Sequence, residues 1–188
     1  MNDEQLVEQF KNGQRQAFDE LVLRYQDKVL NTCFRFIGNT EEARDATQDI
    51  FIKVYHALYQ FKPKASFSTW LYRIAVNHSL NALRSKKRRS WLRNFSTFGS
   101  EAAEIGLLAD FSNHPQHVLE KEERAALLHK ALNQLGDGQR AAIILSRFEG
   151  LSYKEIADVL NTSVSSVESR LFRARRKLAK ILKPVRDD

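Results

Sequence analysis

Apolar residues recur along this chain in steps of three and four and nowhere in clean alternation, so the pattern predicts helices throughout. A first helix fits Asp3 to Asn12 and stops at the Asn12–Gly13 pair. A second covers roughly Gln16 to Ile37, with Phe18, Leu21, Val22, Tyr25, Val29, Leu30 and Phe34 at helical spacing. Gly38 and Asn39 break it. Thr40 then opens a third helix to about residue 60, striped by Ala46, Ile50, Val54, Ala57 and Leu58. Residues 62–66 (KPKAS) read as a loop, and Ser66 or Ser68 can cap a fourth helix from 67 to about 88.

The period lapses over the Gly-, Ser-, Asn- and Pro-bearing stretch that follows, which reads as a linker. Phe95, Phe98, Ile105, Leu107, Leu108 and Phe111 are unusual for a simple solvated tether. Helical spacing resumes near 118–135, 137–148, 152–160 and 163–182. The fold class is therefore all-α: two small helical domains, 1–92 and 118–188, joined by a flexible linker, 93–117.

The second domain has the anatomy of a helix-turn-helix. Ser152 with Glu155 three residues on is a capping box, and Ile156, Ala157, Val159 and Leu160 form the apolar side of the helix it opens. NTSV is a short polar turn in which Thr162 or Ser163 can cap the next helix. There Val164, Val167, Leu171, Ala174 and Leu178 make a core stripe. The opposite face keeps Ser165, Ser166, Glu168, Ser169, Phe172, Arg173, Arg175 and Arg176. Small polar residues at the start of a helix let it approach base edges, while cations further along neutralise phosphates.

Charge sharpens this picture. The formal net charge is +7 and the sequence pI about 9.6, unevenly spread over 188 residues. Six basic residues and no acid fall between Arg84 and Arg93, and eight more, again without an acid, between Arg170 and Arg186. Two basic patches with milder surface between them suggest two contacts on one long acidic ligand. The single cysteine, Cys33, excludes an internal disulfide framework and reads as a buried thiol. The start of the chain carries no secretory leader pattern and no stretch has eighteen apolar residues, so the simplest location is cytoplasmic.

Catalytic chemistry finds no anchor. The five histidines are scattered, His114 and His117 lack further ligands at metal spacing, and no P-loop or Ser–His–Asp arrangement is present. The expectation is a binding protein with no catalytic residue, no metal, no cofactor and no small-molecule substrate. A metal-dependent nuclease would need clustered carboxylates, and the acids here are dispersed along helices.

On the fourth helix Trp70, Arg73, Asn77, Asn81 and Arg84 share one face, which runs into Lys86, Lys87, Arg88 and Arg89. An aromatic, amides and guanidinium groups ahead of a cationic run suit unstacked bases, although Trp70 fits a core position equally well. The third helix pairs its apolar stripe with an edge of Asp45, Gln48 and Asp49, which suits a basic protein partner or simply a solvated face.

These stretches together resemble the sigma-70 family of sigma factors, and within it the short extracytoplasmic-function group of the RpoE-like kind. DATQDIFIKVYHAL resembles the family's core-polymerase-binding helix and FSTWLYRIAVNHSLNALR the segment that melts and reads the −10 element. Residues 131–178 resemble region 4, which reads the −35 element. The resemblance implies that Asp45, Gln48, Asp49 and Lys53 meet core RNA polymerase at its β′ clamp helices. It implies −10 contacts from the loop between Phe61 and Ser68 (Phe61, Lys62, Lys64, Ser66), from Trp70, Arg73, Asn77, Asn81 and Arg84, and from Lys86, Lys87 and Arg88. For the −35 element it implies Ser165, Ser166, Glu168, Ser169, Arg170, Phe172, Arg173 and Arg176. Arg147 and Arg175 join Arg170 and Arg176 as candidates for phosphate or β-flap contacts. The implied partners are core RNA polymerase, promoter DNA and an anti-sigma factor, often membrane-anchored. A free-standing helix-turn-helix regulator would account for region 4 but leave the Trp70–Arg89 segment unexplained.

One departure from the family pattern stands out. The recognition helix opens SVSSVESR, where the RpoE-like pattern often has PVGTVRSR, so Glu168 replaces a donor. A carboxylate there can accept from cytosine N4 in the major groove or hold a nearby arginine such as Arg175. An i, i+4 pair is excluded, because that position is Phe172.

Overall fold

Several helices begin where a side chain takes up free backbone amides. In the computed structural model, which describes residues 1–62, 65–96 and 126–182, α1 (Asp3–Lys11) opens on a full capping box. Asn2 accepts from the Gln5 amide at 2.8 Å and Gln5 returns the bond at 3.0 Å. Helix α2 (Gln16–Ile37) closes on Gly38, whose φ of 75° is the left-handed C-cap that glycine adopts without penalty. Helix α3 (Thr40–Ala57) is capped by Asn39, which accepts from the Glu42 amide at 2.9 Å, and runs into a short 3-10 turn, Leu58–Gln60. Thr40 opens this helix as expected, with Asn39 just before it as the cap. Helix α4 (Phe67–Ser96) starts with Ser66 Oγ accepting from the Thr69 amide at 3.2 Å. It continues eight residues past the expected end near 88, since neither Gly nor Pro interrupts the basic run, so the first four residues of the anticipated linker are helical.

The second domain comprises α5 (126–133), α6 (Asp137–Arg147), α7 (Tyr153–Leu160) and α8 (Val164–Leu182). Ser152 and Glu155 form the expected capping box. Asn161 turns the chain through φ 47°, and Ser163 caps α8 by accepting from the Ser166 amide at 3.2 Å. The remaining stretch, with the apolar positions expected in the linker from Phe98 to Phe111 and with His114 and His117, lies outside the described residues.

One continuous apolar core runs through both domains. Leu6, Phe10, Leu21, Phe36, Ile50, Leu58, Phe67 and Leu71 are fully buried among α1–α4, and Leu132, Ile144, Leu145 and Ile156 among α5–α7. Val167, Leu171 and Ala174 seat α8 as its spacing predicted. Val164, assigned to the same stripe, is instead 41% exposed, because the first turn of α8 precedes its packing surface. On α2 the buried line runs through Ala17, Leu21, Val29, Cys33 and Phe36. Phe18, Val22 and Leu30 border an open groove.

The two domains dock along a seam in which α2 and α4 face α6 and α7. Periodicity gave no sign of this contact. Arg140 is 2% exposed and donates from Nη2 to the carbonyls of Arg35 (2.9 Å) and Phe36 (2.6 Å), the last turn of α2. Its Nη1 donates to Asn133 Oδ1 at 2.7 Å. Burial lowers the Arg140 pKa to about 10, still charged at neutral pH, so a cation sits on the negative end of the α2 dipole. His129 lies against Gly38, so closely that a β-carbon at that position would stand 2.0 Å from its ring. Burial first, then the neighbouring Arg140, lowers the His129 pKa to about 4.

Two outcomes follow for this seam. Gly38→Ala should cost about 1–2 kcal/mol of denaturant-measured stability through the left-handed backbone. It should also enlarge the radius of gyration by driving His129 away, and adding His129→Ala should restore the radius but not the stability. Acidification should loosen the seam. The docked imidazole is held neutral, facing Arg140 and Lys86 with the Phe36 backbone as its favourable partner, while a released one titrates near 6.5. The released state therefore takes up the proton first as pH falls from about 6.5 towards 4. The docking equilibrium should shift by at most about thirtyfold at pH 5, less after solvent screening. Small-angle scattering at pH 7 and pH 5 should register the expansion in the wild type and not in His129→Asn.

Candidate nucleic-acid interface

Three surfaces carry the residues singled out in the sequence. On α3 the edge of Asp45, Gln48, Asp49 and Lys53 is exposed. Lys53 Nζ lies 2.6 Å from His78 Nδ1, and Asp49 approaches the other ring nitrogen of His78 at 3.8 Å, so α4 buttresses this edge. Gln48 also borders a groove of about 560 Å³ between α2 and α3, lined mainly by Phe18, Val22, Leu30, Phe51, Ile52 and Tyr55. Ile52 is 50% exposed at its lip. An apolar trough with a charged rim fits the apolar face of a partner helix.

The second surface is α4. Phe61 is buried, its ring 5.0 Å from that of Trp70, and Phe67 completes the cluster. Trp70 therefore braces the loop before α4 and packs, half-buried, against the core. Lys62 and Ser66 are exposed beside this cluster, and Lys64 lies outside the described residues. Asn77, Asn81, Arg84, Lys86, Lys87 and Arg88 are exposed. They do not form one free face. Arg73 donates to the Asp158 carbonyl of α7, Arg84 pairs with Asp137 of α6 at 3.0 Å, and Lys86 reaches Glu42 at 2.9 Å. Both ends of the Arg73–Arg84 stripe are held by the second domain.

The third surface is α8. Ser165, Glu168, Ser169, Phe172, Arg173, Arg175 and Arg176 all point outward, Phe172 with 66% of its surface exposed, and Ser166 is half-buried. Arg170 lies along Gly138 at the start of α6, which sets it apart from this face. Arg147 is exposed at the end of α6. Among the described residues Glu168 makes no ion pair, so the positioning bridge to Arg175 does not form. The outward face thus offers one acceptor carboxylate among small hydroxyls, an aromatic ring and guanidinium groups.

A fourth feature escaped the sequence reading. Glu149, in the turn before α7, has only 5% of its side chain exposed. It accepts from Thr32 Oγ1 at 2.8 Å and from the Tyr72 hydroxyl at 2.7 Å, with Arg35 Nη1 at 3.6 Å. The Arg35 guanidinium in turn lies over the Phe148 ring, 4.3 Å from its centroid. Burial and then the Glu149 charge push the Tyr72 pKa up, keeping it the donor. Burial lowers the Arg35 pKa while Glu149 opposes that shift. No local pattern marks Glu149, since its partners are 77 and 117 residues away. Cys33 is fully buried with its thiol pKa raised by burial, as its apolar setting implied.

This architecture coincides with known proteins over nearly its whole length. The family model for sigma-70 region 2 matches residues 21–89, and that for sigma-70 region 4 matches residues 125–178. The RNA polymerase sigma-H factor of Pseudomonas aeruginosa is 40% identical over 183 residues, 97% of this chain and 95% of that protein. The ECF RNA polymerase sigma-E factor of Escherichia coli K12 is 37% identical over 98% of this chain and 96% of that one. Among solved structures, CnrH in complex with the cytosolic domain of CnrY matches with a TM-score of 0.74 at 28% identity, covering 97% of both chains. The sigma factor RpoE of Bartonella quintana, in complex with the anti-sigma factor NepR, matches with a TM-score of 0.67 at 25% identity, covering 88% of this chain and 96% of that one. The helix-turn-helix, the α4 stripe and these matches agree: the chain belongs to the sigma-70 family, in its extracytoplasmic-function group, and is a transcription initiation factor that binds core RNA polymerase and promoter DNA, not an enzyme.

Proposed function

We propose that three surfaces divide the work of promoter selection among named residues. The α2–α3 groove with its rim of Asp45, Gln48, Asp49 and Lys53 seats the β′ clamp helices of core polymerase. Its support is an apolar trough with exposed Ile52 at the lip and an acidic-polar edge held by His78. The α4 surface, with the loop at Lys62 to Ser66, receives the opened −10 element. Asn77 and Asn81 offer amides to unstacked bases, Arg73 and Arg84 offer guanidinium groups, and Lys86, Lys87 and Arg88 take the adjoining phosphates.

The α8 surface reads the −35 duplex. Ser165, Ser166 and Ser169 let the helix sit deep in the major groove, Phe172 offers an apolar contact to a thymine methyl, and Arg173 and Arg176 approach guanine edges or phosphates. Arg170, Arg175 and Arg147 serve the backbone or the polymerase flap. Glu168 reads a base. The single observation that carries this is its exposure with no ion pair among the described residues, which leaves the carboxylate free to accept from cytosine N4.

No helix among the described residues is long and apolar enough to cross a membrane. We place the protein in the cytoplasm, held inactive by an anti-sigma factor until a signal releases it. The support is that the two solved structures it resembles are sigma factors in complex with CnrY and with NepR. An inhibitor anchored in the inner membrane would keep it at that surface.

Run-off transcription from genomic fragments with purified core polymerase tests the whole reading, and specific transcripts should depend on added protein. Gln48→Ala with Asp49→Ala should weaken core binding by about tenfold, the loss of one or two charge-assisted contacts, while −35 duplex binding by the full chain is unaltered. Glu168→Arg should change the preferred base at one −35 position in a randomised-duplex selection. A uniform affinity change with the same preference would count against base reading.

A further inference from the structure

A histidine on α4 stands between two charged groups of α3 and keeps them apart. Asp49 and Lys53 lie four residues apart on α3, the spacing at which a carboxylate followed by an ammonium pairs along a helix. Among the described residues no ion pair joins them. Both turn to His78 instead, whose side chain is only 16% exposed. Lys53 Nζ stands 2.6 Å from Nδ1, and Asp49 Oδ2 stands 3.8 Å from Nε2. An ammonium only donates, so Nδ1 accepts and the single proton of the neutral ring sits on Nε2, on the Asp49 side. At 3.8 Å that N–H makes no direct bond, and Asp49, with 62% of its side chain exposed, keeps its acceptor positions open. Burial first, and then the Lys53 charge, holds the His78 pKa below its ordinary 6.5, with Asp49 opposing. Among the described residues these two are the charged groups that reach the ring. Helix α2, packed against both helices, meets the next residue, Ser79, with the neutral thiol of Cys33.

We propose that His78 is a positioning residue for core-polymerase binding: its neutral ring takes Lys53 through Nδ1 and so leaves Asp49 open to a basic partner. This rests on the reading of Asp45, Gln48, Asp49 and Lys53 as the rim that meets polymerase. Without the ring, the two α3 charges are free to pair with each other, and each then meets its partner partly neutralised. A protonated ring has the same result by another route. A second N–H facing the ammonium expels Lys53, and the imidazolium draws on Asp49. The neutral ring is therefore the form that presents the rim, and it is lost as pH falls through a pKa lying below 6.5.

The test measures the affinity of the labelled full chain for purified core RNA polymerase at pH 7.5 and pH 5.5. His78→Ala should weaken binding at pH 7.5 by about two- to fivefold, the range that an exposed ion pair spans. His78→Asn sets an amide oxygen where Nδ1 stands and should bind as the wild type does at pH 7.5. At pH 5.5 the wild type should lose affinity relative to His78→Asn. That comparison cancels any titration on the polymerase, and a merely structural ring would leave it unmoved. In a Lys53→Met background, where no ammonium competes for Asp49, His78→Ala should have no further effect. Coincident pH profiles, or a His78→Asn that binds no better than His78→Ala, overturn the positioning role. So does an unaltered affinity in His78→Ala when Gln48→Ala with Asp49→Ala weakens binding. If that double variant also binds as the wild type does, the reading of the rim fails and the role of His78 falls with it.

Discussion

A single buried carboxylate ties the two helical domains of this molecule to one another. Glu149 has left water almost completely, and a charge in that position is tolerated only where donors stand at hydrogen-bond distance. Thr32 and Tyr72 meet that requirement from two different helices, and Arg35 adds a cation braced by Phe148. Apolar contact alone would let two small helical bundles slide on one another. A carboxylate with directional donors, together with Arg140 on the end of α2, fixes their relation. The α2–α3 groove and the outward face of α8 remain open, while the α4 stripe is held at both ends.

The three surfaces differ in chemistry. A groove lined by Phe18, Val22, Leu30 and Phe51 gains from releasing water when a protein helix fills it, and its polar rim supplies orientation. The α4 stripe instead offers amides and guanidinium groups, suited to bases already out of the stack. On α8 the small hydroxyls precede the cations along the outward face. Glu168 is the exception among these cations. Its exposure gives the helix an acceptor where relatives of the RpoE-like pattern often have a donor.

Local order was legible in the chain to a high degree. Periods of three and four placed every described helix, because an amphipathic helix must keep one apolar stripe against its neighbours whatever those neighbours are. The Ser152–Glu155 box and the NTSV turn were readable because capping chemistry acts within four residues. The errors are local too. Val164 was assigned to the core although a first turn need not reach the packing surface, and α4 outran its expected end because a basic run breaks no helix. Phe18, Val22 and Leu30 had the spacing of core residues but line a groove, a distinction that depends on what the next helix leaves uncovered.

By itself, then, the sequence determined the helices, their caps, the helix-turn-helix, the placement of cations and the family to which those motifs belong. All of these rest on interactions between residues close in the chain. Only the tertiary structure decided that the two domains close on one another. That decision rests on an apolar core continuous across the seam, on Glu149 meeting Thr32 and Tyr72, and on Arg140 meeting the α2 carbonyls more than a hundred residues away. A glutamate in a turn, a threonine in a helix and a tyrosine in a core look ordinary one at a time. Their meaning is a matter of distance in space, which no spacing along the chain encodes.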